Sequence, residues 1–260
     1  MKYTALVTGA SGGIGLELAE LFAQDGNDLV LVARSGDKLD QLATRFAIQY
    51  KVYAKVVVAD LTEPDAPQQV FDALKQDGIA VDILVNNAGF GNYGYFRETD
   101  LRRELDMLQL NIVALTHLTK LFLNQLPPGW PAKILNIAST AAFPPGPLMA
   151  VYYASKAYVL SFSEALAAEQ EGTNVTVTAL CPGATATDFK DNANLEGSGI
   201  FKGPLVADAR SVAVAGYKGM MAGKVVVLPS LQTKLLPLLV RVMPRSVIRK
   251  MVKRVQEKRK

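Results

Sequence analysis

The sequence has one cysteine, one histidine and one tryptophan. A lone Cys181 excludes an internal disulfide framework, and it lies between a strand-like run and Pro182 with no basic neighbour to activate its thiol. The lone His117 stands among apolar residues such as Leu115 and Leu118 and is read as structural; no set of residues has metal-ligand spacing, so no metal is expected. Apolar runs of about 18 residues, the length of a membrane-spanning helix, are also missing. Met1-Lys2-Tyr3 leads directly into the apolar Ala5-Leu6-Val7, so no signal peptide is expected and the expected location is cytoplasmic. The net charge is only +4, and from Arg241 to Lys260 nine Lys or Arg stand against one Glu, which leaves the rest of the chain net acidic. The basic character belongs to the tail, and no nucleic-acid partner follows from it.

Alternation is what the chain does have. Strand-like runs at Tyr3–Thr8, Asp28–Ala33, Val52–Ala59, Ile83–Val85, Ala132–Ala138, Val175–Leu180 and Val225–Leu228 are separated by helix-like segments. These are Ile14–Gln24, Lys38–Gln49, Ala66–Gln76, Leu101–Leu126, Ala150–Glu171 and Asp208–Ala222. Several strands are apolar on both faces, as in a sheet covered on each side by helices. The fold class is α/β: a single doubly wound, Rossmann-like domain with a mostly or wholly parallel sheet of about seven strands. It is expected to span residues 1–229. Residues 230–260 form an apolar-to-basic extension, interrupted by Pro237 and Pro244 and docked on the same domain. The Asn-, Gly- and charge-rich Phe189–Gly203 departs from the rhythm and is read as a mobile substrate cover within about residues 189–210.

Between the first strand and the first helix lies Gly9-Ala-Ser11-Gly12-Gly13-Ile14-Gly15. Gly9, Gly13 and Gly15 leave the backbone bare enough to approach phosphate oxygens, and the helix points its free N–H groups at the same place. The second strand ends Leu31-Val-Ala-Arg34, where an acidic residue would accept hydrogen bonds from a ribose 2′-hydroxyl. A guanidinium there suits a 2′-phosphate instead, so NADP(H) is expected to be preferred over NAD(H). Tyr152-Tyr-Ala-Ser-Lys156 places a phenol and an ammonium one helical turn apart. The spacing arises easily by chance, and its position decides its weight: it follows a strand that ends at Ser139. A free tyrosine has a pKa of about 10, and the Lys156 charge is expected to draw it toward the working pH.

Thr8-Gly-Ala-Ser-Gly-Gly-Ile-Gly15, Asp60-Leu61, Asn86-Asn87-Ala88-Gly89, Asn111, Ser139, Tyr152, Lys156 and Pro182-Gly183 together resemble the short-chain dehydrogenase/reductase family, over about residues 3–190. Ala150–Leu166 is most similar to a bacterial branch resembling ketoacyl and hydroxysteroid reductases. The resemblance implies that Tyr152 exchanges a proton with a substrate oxygen, that Ser139 hydrogen-bonds the same oxygen, and that Lys156 holds the nicotinamide ribose. It further implies that Asn111 holds a proton-relaying water. Asp60 is implied at the adenine ring, Asn86–Gly89 on the adenosine side with Asn86 mainly structural, and Thr187 of Pro182-Gly183-Ala-Thr185-Ala-Thr187 at the carboxamide. Gly9, Ser11, Gly12, Gly13, Ile14, Gly15, Arg34, Asp60, Leu61, Asn87, Ala88, Gly89, Tyr152, Lys156, Pro182, Gly183, Thr185 and Thr187 are then the expected cofactor contacts.

The substrate is expected among loops bearing Phe90, Tyr93, Phe96, Phe143, Phe189 and Phe201, which favours a hydrophobic small-molecule carbonyl compound or alcohol, acyl-chain or steroid-like. A homodimer or homotetramer built on Leu101–Leu126 and Ala150–Glu171 is expected by analogy. In the tail, Val247, Ile248, Met251, Val252 and Val255 form a helical stripe opposite Arg249, Lys250, Lys253 and Arg254. That helix has three open uses: docking on the core, an oligomer interface, or contact with an anionic membrane surface. A dinucleotide-sensing protein without catalysis and a membrane-surface scaffold remain the alternatives to an enzyme.

Overall fold

Runs of β-branched and leucine residues place side chains on both faces of the central strands, and helices cover both. The computed structural model describes residues 2–189, 193, 195 and 206–257, with backbone alone at 231 and 232. In order, β1 (Thr4–Thr8), α1 (Gly13–Gln24), β2 (Asp28–Ala33), α2 (Gly36–Tyr50), β3 (Ala54–Val58), α3 (Ala66–Gln76) and β4 (Ile83–Asn86) form the first half. The second half contains α4 (Leu101–Leu108), a π-helical turn (Gln109–Ala114), α5 (Leu115–Gln125), β5 (Ala132–Ile137), α6 (Ala150–Glu169) and β6 (Val175–Leu180). It continues with β7 (Thr185–Ala186), β8 (Ala207–Asp208), α7 (Ala209–Met221), β9 (Val226–Val227), α8 (Leu231–Val242) and α9 (Arg245–Gln256).

Seven strands form one parallel sheet in the order β3-β2-β1-β4-β5-β6-β9. Alternate residues of each strand feed two cores. Ala5, Val7, Leu29 and Leu31 pack with Leu18 and Phe22 of α1 and Val212 and Met220 of α7. Leu6, Val30, Val32 and Leu84 pack with Val70 and Leu74 of α3, Leu118 and Phe122 of α5, and Leu166 of α6. Strand order reverses between β1 and β4, which opens a crevice at their C-terminal ends, the usual ligand position in such sheets.

Two expectations need correction. Leu101–Leu126 is not one α-helix, because the π turn adds a residue to the coil and re-aims Asn111 toward Phe90. Pro237 does not interrupt its segment: it lies inside α8, which accepts the lost backbone bond and continues to Val242. Of the expected cover, 190–192, 194 and 196–205 lie outside the described residues, Phe201 among them.

Candidate active site

The glycine turn is held open by polar clamps from β1 and β4. Thr8 Oγ1 accepts from the backbone N–H groups of Asn87 and Ala88 at 2.9 and 3.0 Å and donates to Val85 O. Asn87 Nδ2 donates to the carbonyls of Thr8 and Gly9 at 2.9 and 3.2 Å. Gly9 has φ +65°, left-handed backbone that favours glycine, and a Cβ on Gly15 would collide with Gly9 O. At the N-terminus of α1, Gly12 brings no side-chain cap and the first turn carries no acid. Those backbone donors fit an anionic group, and a dinucleotide pyrophosphate suits the cradle.

Two cavities flank this turn and meet at Gly9, Ser11, Ala88 and Gly89. The larger, about 480 Å³, is walled by Arg34, Asp60, Leu61, Ala88 and Gly89. The Arg34 side chain is 75% exposed, and its Nη1 lies 3.9 Å from an Asp60 oxygen. Asp60 caps the next turn, its Oδ1 accepting from Thr62 N and Oγ1 at 3.0 and 2.8 Å. Burial raises its pKa, but the Thr62 bonds and the Arg34 charge outweigh that and hold the carboxyl below its ordinary value. The carboxylate is thus committed to protein partners.

The other cavity, about 320 Å³, is lined by Ser11, Gly12, Gly13, Ile14, Asn87, Ser139, Tyr152, Lys156, Pro182, Gly183, Thr185 and Thr187. Ser139 follows β5 and begins a 3₁₀ turn, its Oγ accepting from Ala141 N and donating to Pro182 O. Tyr152 and Lys156 lie one turn apart on α6, both buried, with Lys156 Nζ 5.9 Å from the Tyr152 ring centroid. Thr187 packs its methyl against Gly13 and accepts from Phe189 N. Thr185 Oγ1 donates to Gly183 O.

The expected lowering of the Tyr152 pKa is not what this arrangement produces. Burial pushes the phenol above its ordinary value, opposed by its hydrogen bond with Ser139, while Tyr153 adds to the rise. Lys156 spends its Nζ on Ile137 O at 2.7 Å, and burial pulls its own pKa down to about 8. Cys181 is driven up to about 12, chiefly by burial, so its thiol is inert at neutral pH.

Asn111 clamps the loop after β4 from the π turn. Its Nδ2 donates to Phe90 O and Ser155 Oγ at 3.0 and 3.1 Å, and its Oδ1 accepts from Phe90 N at 3.2 Å. A Cβ on Gly89 would meet Asn111 Oδ1 at 2.9 Å and Lys156 Nζ at 3.6 Å, so these two groups face each other across a bare glycine. Asn86 belongs to a different network: its Nδ2 donates to Thr119 and to Asn136, and Asn136 in turn donates to Ser163.

On the substrate side, Phe90, Tyr93 and Phe189 join Tyr152, Met149 and Leu195 in one apolar cluster, with the Phe189 ring 5.3 Å from that of Tyr152. Phe143 packs elsewhere, near Leu160 and Cys181, and Phe96 is exposed. Leu148, with φ +68°, is a strained position for a bulky residue, and its carbonyl accepts from Gly94 N, joining two of these loops. Sequence reasoning missed Gln256: its Nε2 donates to Tyr153 Oη at 2.6 Å and its carbonyl accepts from Tyr93 Oη at 2.7 Å. The signal was one polar residue four positions after Val252, on the buried side of a helix.

A family model described as short chain dehydrogenase matches residues 3–197, and the chain belongs to that family. A short-chain dehydrogenase from Sphingobium yanoikuyae, solved in complex with NADPH, is 35% identical, with 90% of each chain covered and a TM-score of 0.79. A bulky-bulky ketone specific alcohol dehydrogenase from Comamonas testosteroni is 34% identical over 88% of this chain and 86% of that one, with a TM-score of 0.77. A very-long-chain 3-oxoacyl-CoA reductase from Anas platyrhynchos is 37% identical over 189 residues, 70% of this chain and 60% of that protein. The chain thus spans about 60% of the length of the curated relatives it matches.

Proposed function

We propose that this protein is an NADP-dependent oxidoreductase that interconverts a bulky hydrophobic ketone or aldehyde and its alcohol. The observation that carries the reading is one cavity wall that brings Ser139, Tyr152 and Lys156 together beside the glycine cradle. When bound, the nicotinamide supplies or accepts the hydride. Tyr152, a buried phenol on that wall, gives its proton to the substrate oxygen during reduction. Ser139 turns its hydroxyl from the Pro182 carbonyl, 3.4 Å away, to donate to the same oxygen and stabilise the charge that builds there. Lys156 lies where it can hold the nicotinamide ribose, while Asn111 fixes the backbone at Phe90 and positions Ser155 beside it.

Arg34 at the end of β2 supports NADP over NAD, and the Sphingobium structure was solved with NADPH. Met149, Tyr153, Phe189 and Leu195 support an apolar substrate, as do relatives described as acting on bulky ketones or 3-oxoacyl-CoA. Leu101, Leu105, Val113 and Tyr158, exposed on α4, the π turn and α6, support pairing of two copies through those helices. Light scattering tests the pairing. For the activity, bulky ketones, 3-oxoacyl thioesters, steroids and their alcohols would be assayed with both nicotinamide cofactors. Turnover of at least one apolar carbonyl with NADPH is expected. Tight NADPH binding with no turnover across the panel would instead leave a dinucleotide sensor.

A further inference from the structure

The last two helices show solvent the side that a soluble protein ordinarily hides. On α8, Leu235, Leu238, Leu239 and Val242 recur at i, i+3, i+4 and i+7 and are 53–80% exposed. On α9, Val247, Met251 and Val255 recur every fourth residue and are 41–58% exposed, whereas Ile248 and Gln256 on the adjoining margin are buried. Scattered apolar residues on a surface need no explanation, but seven on two consecutive helices form a pattern.

The charges of these helices indicate the occupant. Lys234 and Arg241 of α8 and Arg245, Arg249, Lys250, Lys253 and Arg254 of α9 accompany the apolar stripes. Among the described residues, only Lys253 of this group has an acidic partner, Glu257 at 3.6 Å. A second copy seated on this face would bring one cationic cluster against another, which costs energy. An anionic lipid surface takes both features: acyl chains accept the leucine and valine side chains, and headgroups accept the cations. Neither helix can span: each has 12 residues, about 18 Å at 1.5 Å per residue. No described helix is long and apolar enough to cross a membrane. The bonds from Gln256 to Tyr153 and Tyr93 fix α9 to the domain, so its exposed margin is presented by an anchored helix.

We propose that α8 and α9 dock this protein peripherally on an anionic lipid surface. The test is co-sedimentation of the full chain with vesicles of phosphatidylcholine alone or with one-third phosphatidylglycerol. Pelleting is expected with the anionic vesicles, little with the neutral ones, and release is expected as salt rises to about 0.5 M. Replacing Arg249 and Lys250 together by Glu should lower the partition by at least about tenfold, and replacing Leu238 and Leu239 by Ser should do so at unchanged salt sensitivity. NADPH binding and the melting temperature check that both variants are folded, since every substituted side chain is exposed.

Equal partition of wild type and variants, or no pelleting on anionic vesicles, overturns the proposal. So would a dimer that the Leu238 and Leu239 substitutions dissolve in the absence of lipid, because the face would then belong to a second copy. Binding to poly-glutamate without binding to vesicles would likewise assign it to an acidic protein.

Discussion

The two ends of the cleft are built by different means. At the cofactor end, the anion cradle is made of backbone: a glycine turn fixed by Thr8 and Asn87, with bare N–H groups at the start of α1. At the substrate end the wall is made of side chains drawn from remote parts of the chain, such as Tyr93, Met149, Tyr153 and Phe189, with Gln256 bracing two of them. A backbone site needs a short motif and a sheet to hold it. A side-chain wall can change residue by residue while the sheet stays as it is, whereas a backbone cradle cannot change without moving the turn.

The sharpest way to break that division is at the two adjacent tyrosines. Tyr152→Phe removes the transferable proton but leaves the ring packed on Phe189, so kcat should fall by about 10²–10⁴-fold with NADPH affinity nearly unchanged. Tyr153→Phe should cost far less, because its hydroxyl is spent on Gln256. Steady-state kinetics and cofactor titration on both variants decide it. Equal losses would mean that the chemistry is shared with the substrate wall.

Under the proposed preference for NADP, Arg34 at the far side of the cofactor end would carry the cofactor choice. A charge-assisted contact with a 2′-phosphate is worth roughly 1.5–3 kcal/mol, so wild type should favour NADPH over NADH by about 10- to 150-fold in kcat/KM. Arg34→Asp should reverse the order, because it removes the phosphate partner and leaves the ionised Asp60 beside a second carboxylate. A wild-type preference for NADH would separate cofactor choice from this position and leave the roles of Ser139, Tyr152 and Lys156 standing.

The same division explains what was legible in the sequence. Strand alternation and two-sided apolar runs pointed to a doubly wound parallel sheet because burial on both faces leaves a contiguous apolar signature at Leu29–Val32 and Ile83–Val85. The glycine turn could be read because its three glycines are consecutive in space and nearly so in sequence. The π turn at Asn111 could not, since a one-residue insertion in a helical coil leaves no mark in composition or period. The Tyr152 environment also escaped, because proximity of Lys156 in sequence says nothing about burial or about the Ile137 carbonyl that accepts its hydrogen bond. Gln256 was hidden by distance: it meets residues from α6 and from the loop after β4, and no local pattern encodes that meeting.

Lys156 tests whether the catalytic floor, shared by both ends, is held at a cost. Its pKa falls from 10.5 to about 8, so the folded state binds the proton less well than the unfolded chain does. At neutral pH the buried ammonium is therefore destabilising, and wild-type stability should rise with pH from about 8 toward 10.5. Lys156→Met removes that penalty and also the bond to Ile137, for a net gain of about 1–3 kcal/mol at pH 7. The gain should shrink above pH 8, and activity should be lost throughout. Denaturant titrations across pH would show this; a variant less stable than wild type at pH 7 would mean that the Ile137 contact outweighs the burial.

The smallest effect should come from Gln256, and it decides whether the substrate wall is separate from the catalytic frame. Its two bonds, to Tyr153 Oη and from Tyr93 Oη, brace residues that touch the apolar cluster but donate nothing to a reacting atom. Gln256→Ala removes only the side-chain bond, since the bond from Tyr93 ends on the backbone carbonyl. A neutral hydrogen bond is worth about 0.5–1.5 kcal/mol, so KM for an apolar substrate should rise by roughly two- to twelvefold, while kcat and NADPH affinity hold. Tyr153→Phe removes the same bond from its other end, so the double variant should cost little more than either single one. Additive losses would mean that each residue meets substrate independently. A fall in kcat with KM unchanged would place the last helix in the catalytic frame and erase the distinction between the two ends.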